Sequence, residues 1–138
     1  MKRKAFTMIE LVFVIVVLGI LAAIAIPRLA ATRDDAQIAK GRSDVAAIRS
    51  GIVSERQTRL LKGETAYATT LEGADNSVLF EKVMQYGITP KTANGHWRQN
   101  NTSYIFQIMG ANVTFDYNAT TGRFDCTHTD ANCKLLTE

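Results

Sequence analysis

The chain reads as an α+β protein, one long N-terminal helix followed by a small antiparallel β-meander. Three observations point there. From Phe6 to Ile26 the residues are apolar or small apart from Thr7 and one charge, Glu10. From Ile38 to Ile52 apolar residues recur at helical spacing. From Thr102 onward the apolar period falls to two, the period of a strand.

The first element is the segment KRKAFTMIELVFVIVVLGILAAIAIPRL, Lys2 to Leu29. Phe6 to Ile26 spans 21 residues, which at ~1.5 Å per residue is roughly 31 Å of helix. A bilayer's hydrocarbon core has about that thickness. The basic stretch Lys2-Arg3-Lys4 stays on the cytoplasmic side, so the remainder is exported. Two fates are open to the helix. A signal peptidase cuts after Ala25 or Ala31, where small residues offer sites. Or only the basic leader is removed and the helix is retained.

Glu10 separates these fates. A signal peptide gains nothing from a carboxylate, whereas an intramembrane carboxylate costs roughly 2.5 kcal/mol or more and usually has a partner. No Lys or Arg lies between Glu10 and Arg28. A cut between Ala5 and Phe6 creates an ammonium four residues before Glu10. That amine, on the same or a neighbouring chain, is the natural partner. Pairing between chains fixes their axial register.

These residues carry a resemblance. AFTMIELVFVIVVLGILAAIAIPRL is similar to the N-terminus of the type IV pilin and type II secretion pseudopilin family, and AATRDDAQIAKGRSDVAAI continues the likeness along the helix. The resemblance implies a pilin-like fold with a leader at 1–5, a transmembrane and filament-core helix at 6–27, and a periplasmic head at 28–138. It implies cleavage between Ala5 and Phe6 by a prepilin peptidase, N-methylation of Phe6, and a role for Glu10 in docking each subunit into a filament. The partners it implies are identical or related pilin subunits, the prepilin peptidase and an inner-membrane assembly platform. The location it implies is a single-pass inner-membrane protein before assembly and a periplasmic or cell-surface filament after. Ala5 departs from the glycine usual before the cut, and Met8 from the usual leucine.

The helix is expected to continue past Pro27. An internal proline removes one hydrogen bond and kinks or opens the chain. Gly19 weakens the same stretch. The resemblance implies that the Gly19–Pro27 segment can unwind as subunits pack; a simple kink at the membrane surface stands equally beside that.

Beyond Pro27 the helix turns amphipathic. Ile38, Val45, Ile48 and Ile52 share one face, while Arg33, Asp34, Lys40, Arg42, Asp44, Arg49 and Arg56 mostly occupy the others. Glu55 and Arg59 stand at a favourable i,i+4 spacing. Lys62-Gly63 ends the helix after about Leu61, giving more than fifty residues and roughly 80 Å.

Gly63 to Asp75 is loop-like. DNSVLFEKVMQYG predicts a short helix capped by Asn76 or Ser77 and closed by Gly87, and ITPKTANG a turn-rich link. In TSYIFQIM both alternating faces are apolar, which fits a central strand. NVTFDYN alternates cleanly, with Gly110-Ala111 expected as the turn between the two. RFDCT supplies another strand, for three or four in all.

Composition bounds the function. With 138 residues and a long apolar helix, the chain has room for one modest core and little for a deep catalytic pocket. Lys2, Arg3 and Lys4 are three of the 16 basic residues, so the rest of the chain sets 13 against 13 acidic ones. The basic balance is a leader effect and argues weakly for nucleic-acid binding. Two cysteines, Cys126 and Cys133, suggest one disulfide in an exported chain. Closing so short a loop contributes on the order of 2–3 kcal/mol at most.

No phosphate loop, dinucleotide fingerprint or paired metal-ligand spacing occurs, and no cofactor is expected. DCTHTDANC holds Asp125, Asp130 and Asn132, oxygens of the kind Ca²⁺ takes, but their spacing matches no EF-hand loop. A polar loop closed by the two cysteines explains them better. His96-Trp97-Arg98 is a basic-aromatic triplet in which Trp97 is expected to pack in the core or at a sheet edge. N-x-S/T patterns at Asn100, Asn101, Asn112 and Asn118 fit ordinary turn and strand chemistry.

The expected function is structural. The chain is a non-enzymatic subunit of a type IV pilus-like filament, best matched to a pseudopilin of a type II secretion or DNA-uptake apparatus. A major pilin of a surface pilus is the alternative, and a monomeric exported or membrane-anchored binding domain is the alternative of a different class.

Overall fold

The computed structural model describes residues 5–74 and 77–138, so most of the expected leader and the cap position Asn76 lie outside the described residues. The chain divides into two compact units after Asp35. One helix, α1 (Met8–Leu61), runs from the first unit into the second and contains Pro27. The second unit adds β1 (Trp97–Asn100), β2 (Ser103–Ile108), β3 (Ala111–Asn118), β4 (Arg123–Cys126) and α2 (Ala131–Thr137).

α1 ends in a Schellman motif. The Glu64 amide donates to the Arg59 carbonyl (3.0 Å) and the Gly63 amide to the Leu60 carbonyl (3.0 Å). Gly63 supplies the left-handed φ of 83° that this closure needs. The expected Glu55–Arg59 pair does not form. Arg59 instead holds Glu64 at 2.6 Å and the Ala66 carbonyl at 3.1 Å. The loop after the helix offers both partners, so the guanidinium bridges the chain reversal rather than its own helix.

The four strands form one antiparallel sheet in the order β1-β2-β3-β4. β2 is central, and Tyr104, Ile105, Phe106 and Ile108 on it are all buried. Ile108 pairs with Ala111, so the turn residues are Met109 and Gly110 rather than Gly110 and Ala111. Both have positive φ, 49° and 77°, as the hairpin's right-handed twist demands. This register keeps Ile108 and Val113 inward together; a shift of one residue would expose both.

The helix expected over 75–87 is absent in its described part. Leu79 and Ile88 form an antiparallel bridge, exchanging hydrogen bonds of 2.8 and 2.7 Å. Phe80 stands at φ 62°, which a right-handed helix cannot contain. Packing explains the exchange. Phe80 is fully buried, its ring 5.5 Å from Trp97, 4.6 Å from Tyr104 and 5.7 Å from Phe124. Aromatic contacts of this kind add to the burial of large apolar surface, and they override a weak local helical pattern.

The core lies between one stripe of α1 and the inner face of the sheet. Gly41, Val45, Ile48 and Ile52 are the buried positions of the helix. Val45, Ile48 and Ile52 meet Phe106, Val113, Phe115, Phe124 and Leu136 in a single cluster. α2, absent from the expectation, closes one end. Asp130 caps it by accepting from the Asn132 amide at 2.9 Å, and Cys133 and Leu136 are its buried residues.

Two helix glycines are contact points. A Cβ at residue 51 would lie 2.0 Å from the Val83 carbonyl oxygen, and one at residue 41 would lie 2.5 Å from Leu136 Cδ2. Nothing lies within 4 Å of the same position at Gly19. Gly51→Ala is therefore expected to destabilise the head by about 1–3 kcal/mol, because overpacking outweighs the gain in helix propensity. Thermal unfolding followed by Trp97 fluorescence checks this, with Gly19→Ala as the variant that leaves the transition unmoved.

Candidate functional site

The N-terminal unit is built around an unusual local conflict. Every residue from Ala5 to Arg33 is exposed in the isolated chain. The helix is long and apolar enough to cross a membrane. Its backbone satisfies itself, as a helix in lipid must. Its first turn, however, leaves amide donors without helical partners.

Thr7 and Glu10 meet that demand reciprocally. Thr7 precedes the first helical residue, and its carbonyl accepts from the Leu11 amide at 3.2 Å. The Glu10 amide donates to Thr7 Oγ1 at 3.3 Å. The Thr7 amide and hydroxyl both face Glu10 Oε2 at 3.5 Å. This is a capping box, T-x-x-E, read directly from Thr7 to Glu10. The sequence pattern was legible, yet attention to the charge alone misses it. The carboxylate is thus turned back toward the helix start, where the macrodipole favours a negative charge.

The expected processing residues adjoin this box. Ala5 and Phe6 precede Thr7 in non-helical, exposed chain. A cut between them leaves the Thr7 amide intact, since that amide belongs to the Phe6–Thr7 bond. Gly19 and Pro27 both lie within α1, and the helix continues through each.

The second unit holds a polar hub at the far end of the chain. Cys126 and Cys133 are joined in a disulfide. Beside it, Asp125 gathers partners from α1, β4 and the loop that follows β4. Arg49 of α1 donates from Nη2 to Asp125 Oδ1 at 3.0 Å and from Nε to the Phe124 carbonyl at 3.0 Å. Arg123 reaches Oδ2 through Nε at 3.2 Å and Nη2 at 3.0 Å. The Cys126 amide and His128 Nε2 each stand 3.0 Å from Oδ1. Arg42 adds a second tie, donating to the Leu135 carbonyl at 2.6 Å. Helix α1 therefore grips both the last strand and α2. Asp125 and Asp130, weighed in the sequence as oxygen ligands, have other employment: a guanidinium hub and a helix cap.

Burial alone would raise the Asp125 pKa. The Cys126 amide, the Arg123 and His128 hydrogen bonds and the Arg49 charge outweigh it and hold the carboxyl below its ordinary value. A depressed folded pKa contributes stability above the unfolded value, about 3.9, and loses it as pH falls through the folded one. Asp125→Asn should accordingly lower the head's stability at neutral pH and flatten its decline in acid. Urea midpoints measured from neutral pH into the acid range test this; equal acid slopes for both proteins would refute it.

Residues 1–26 match a family model described as the prokaryotic N-terminal methylation motif. The chain is 50% identical over 50 residues to the type IV narrow pilus major component PilA5 of Thermus thermophilus. That stretch is 36% of this chain and 43% of the relative, so the match spans less than half of either. No solved structure matches the chain. The chain thus has a methylation-motif match over the start of an apolar helix, a four-stranded antiparallel sheet, and a 50-residue likeness to a type IV pilin.

Proposed function

We propose that the chain is a structural subunit of a type IV pilus-like filament that polymerises through α1. The observation that carries this is the placement of Glu10, the one charge in the apolar stretch from Phe6 to Ile26. It lies within the first helical turn, directed at the residues just after the Ala5–Phe6 bond. A prepilin peptidase cuts that bond, and methylation follows on the new Phe6 amine. The ammonium so made adds a cation beside a carboxylate already turned toward it. Glu10 then pairs with the amine of its own or a neighbouring subunit as the helices bundle. Burying an unpaired carboxylate among apolar helices would cost several kcal/mol, so pairing favours one axial register over others.

Before assembly, Lys2-Arg3-Lys4 hold the start of the chain in the cytoplasm, and the head stands on the periplasmic side of the inner membrane. Assembly moves α1 from lipid into a protein bundle through an inner-membrane platform. Gly19 and Pro27 are where the helix yields during that transfer, one lacking a side chain and the other lacking a backbone donor.

The filament is best assigned to a type II secretion or DNA-uptake apparatus. The compact head and short disulfide loop support that assignment. A major subunit of a surface pilus is the second reading, favoured by the likeness to PilA5. Deleting the gene distinguishes them: loss of protein export or of transformation supports the first, and loss of surface pili alone the second.

The mature chain should begin at Phe6 and carry one added methyl group, as read by intact mass and N-terminal fragmentation. A chain beginning at Ile26 or Thr32 would sink the filament assignment. Glu10→Ala should be cut and inserted normally, yet yield few or no sheared filaments. The expected loss matches removal of one partner from a buried ion pair, about 3–5 kcal/mol.

A further inference from the structure

A cavity of about 340 Å³ opens where the β1–β2 hairpin tip meets the loop after α1. Its lining is polar and mixed. Thr69, Thr70 and Thr102 supply hydroxyls, Gln99 and Asn101 amides, and Glu72 a carboxylate. Tyr104 and Tyr117 complete the wall.

Glu72 is the anomaly. It is 5% exposed, the one buried charged residue among those described. Buried charges are ordinarily paired. No described Lys, Arg or His forms an ion pair with it, and Lys82, the nearby cation, donates instead to Thr70 Oγ1 at 2.7 Å. Its hydrogen bonds come from neutral groups, the Tyr104 hydroxyl and Gln99 Nε2, the latter at 3.2 Å. Both fall on the same oxygen, Oε1. The carboxylate is held in place at the cost of its desolvation, at the edge of a cavity that opens to solvent.

Backbone geometry shapes the rim. Asn101 stands at φ 55° in the two-residue turn between Asn100 and Ser103. On the inner wall the Tyr117 hydroxyl donates to the Ala68 carbonyl at 2.8 Å, fixing the loop that carries Thr69 and Thr70. The walls are thus tied before any ligand arrives, which reduces the entropy lost on binding.

We propose that this cavity binds a polyhydroxylated ligand, a sugar ring, with Glu72 as the charged acceptor for its hydroxyls. The mixture of donors and acceptors selects this class. A sugar hydroxyl both donates and accepts, and the wall offers a carboxylate, amide oxygens, amide NH₂ groups and threonine hydroxyls in one concavity. Hydrogen bonds to a charged acceptor are the stronger ones. Ring carbons of a sugar also pack on tyrosine surface. A divalent cation would require more formal charge: no group of three His, Cys, Asp or Glu that could hold a metal is found among the described residues. The volume is at the small end of ligand pockets, about 300–1,000 Å³, and suits a single ring.

The test uses the full mature chain, ¹⁵N-labelled, in a detergent with no sugar headgroup such as lauryldimethylamine oxide. D-glucose, D-galactose and N-acetyl-D-glucosamine are titrated separately. At least one should give saturable shifts of the Gln99 and Asn101 side-chain amide signals. Glu72→Gln should weaken that binding about tenfold or more. Should this variant fail to fold, Gln99→Ala, at an exposed position, carries the same expectation. Absence of a saturable shift with all three sugars overturns the proposal. So does unchanged binding in the variants, or a response to calcium chloride or ethylamine where no sugar gives one.

Discussion

The head depends on one packing contact, the stripe of α1 laid against the inner face of the sheet. Gly41, Val45, Ile48 and Ile52 recur at spacings of four, three and four, and they are the only buried positions of a 54-residue helix. Without that stripe the sheet would expose Phe106, Phe115 and Phe124 to water; without the sheet the helix beyond Pro27 would have no apolar partner. The aromatic nucleus of Phe80, Trp97 and Phe124 fills the space between them. Trp97 also needs a polar outlet, and Asp44 of the helix accepts from its indole N–H at 3.0 Å. Close approach also explains why glycine stands at 41 and 51: Leu136 and Phe106 come too near a side chain at the first, and the Val83 carbonyl at the second.

Much of this was legible before any coordinates, for physical reasons that differ by element. The apolar helix declares itself by length and composition, and the amphipathic half by period. From Ser103 to Cys126 the strands are placed within a residue or two, β3 by its clean alternation and β2 by an apolar run buried on both faces. The failures have separate causes. The segment 77–87 has a helical pattern, but Phe80 is drawn into the aromatic nucleus and takes a left-handed conformation there. α2 is only seven residues, too short for periodicity to reveal, and the disulfide obscured its Asp130 cap. Arg59 had two eligible carboxylates, and only the three-dimensional path of the following loop decides for Glu64.

The sites differ in the same way. Thr7 and Glu10 form a local pair, so their geometry is written in four consecutive residues. Glu72 and the Asp125 hub are non-local. Their partners come from positions such as Tyr104 and Arg49, more than thirty and seventy residues away. The two carboxylates have opposite solutions to burial. Asp125 is surrounded by cations and backbone donors and serves as a structural clamp. Glu72 is held by neutral groups alone.

Arg42 and Arg49 bind the chain's closing segment, 93 and 75 residues further on. This has a consequence for biogenesis. Translation delivers the apolar helix first and the residues that complete the head last. The stripe of α1 has no finished partner until Leu136 has been synthesised, so the head cannot close one domain-half at a time. Synthesis of the N-terminal apolar segment and closure of the head are separated in time by most of the residues between them. A ribosome stalled before Asp125 would present the apolar helix and an amphipathic extension with nothing to cover it.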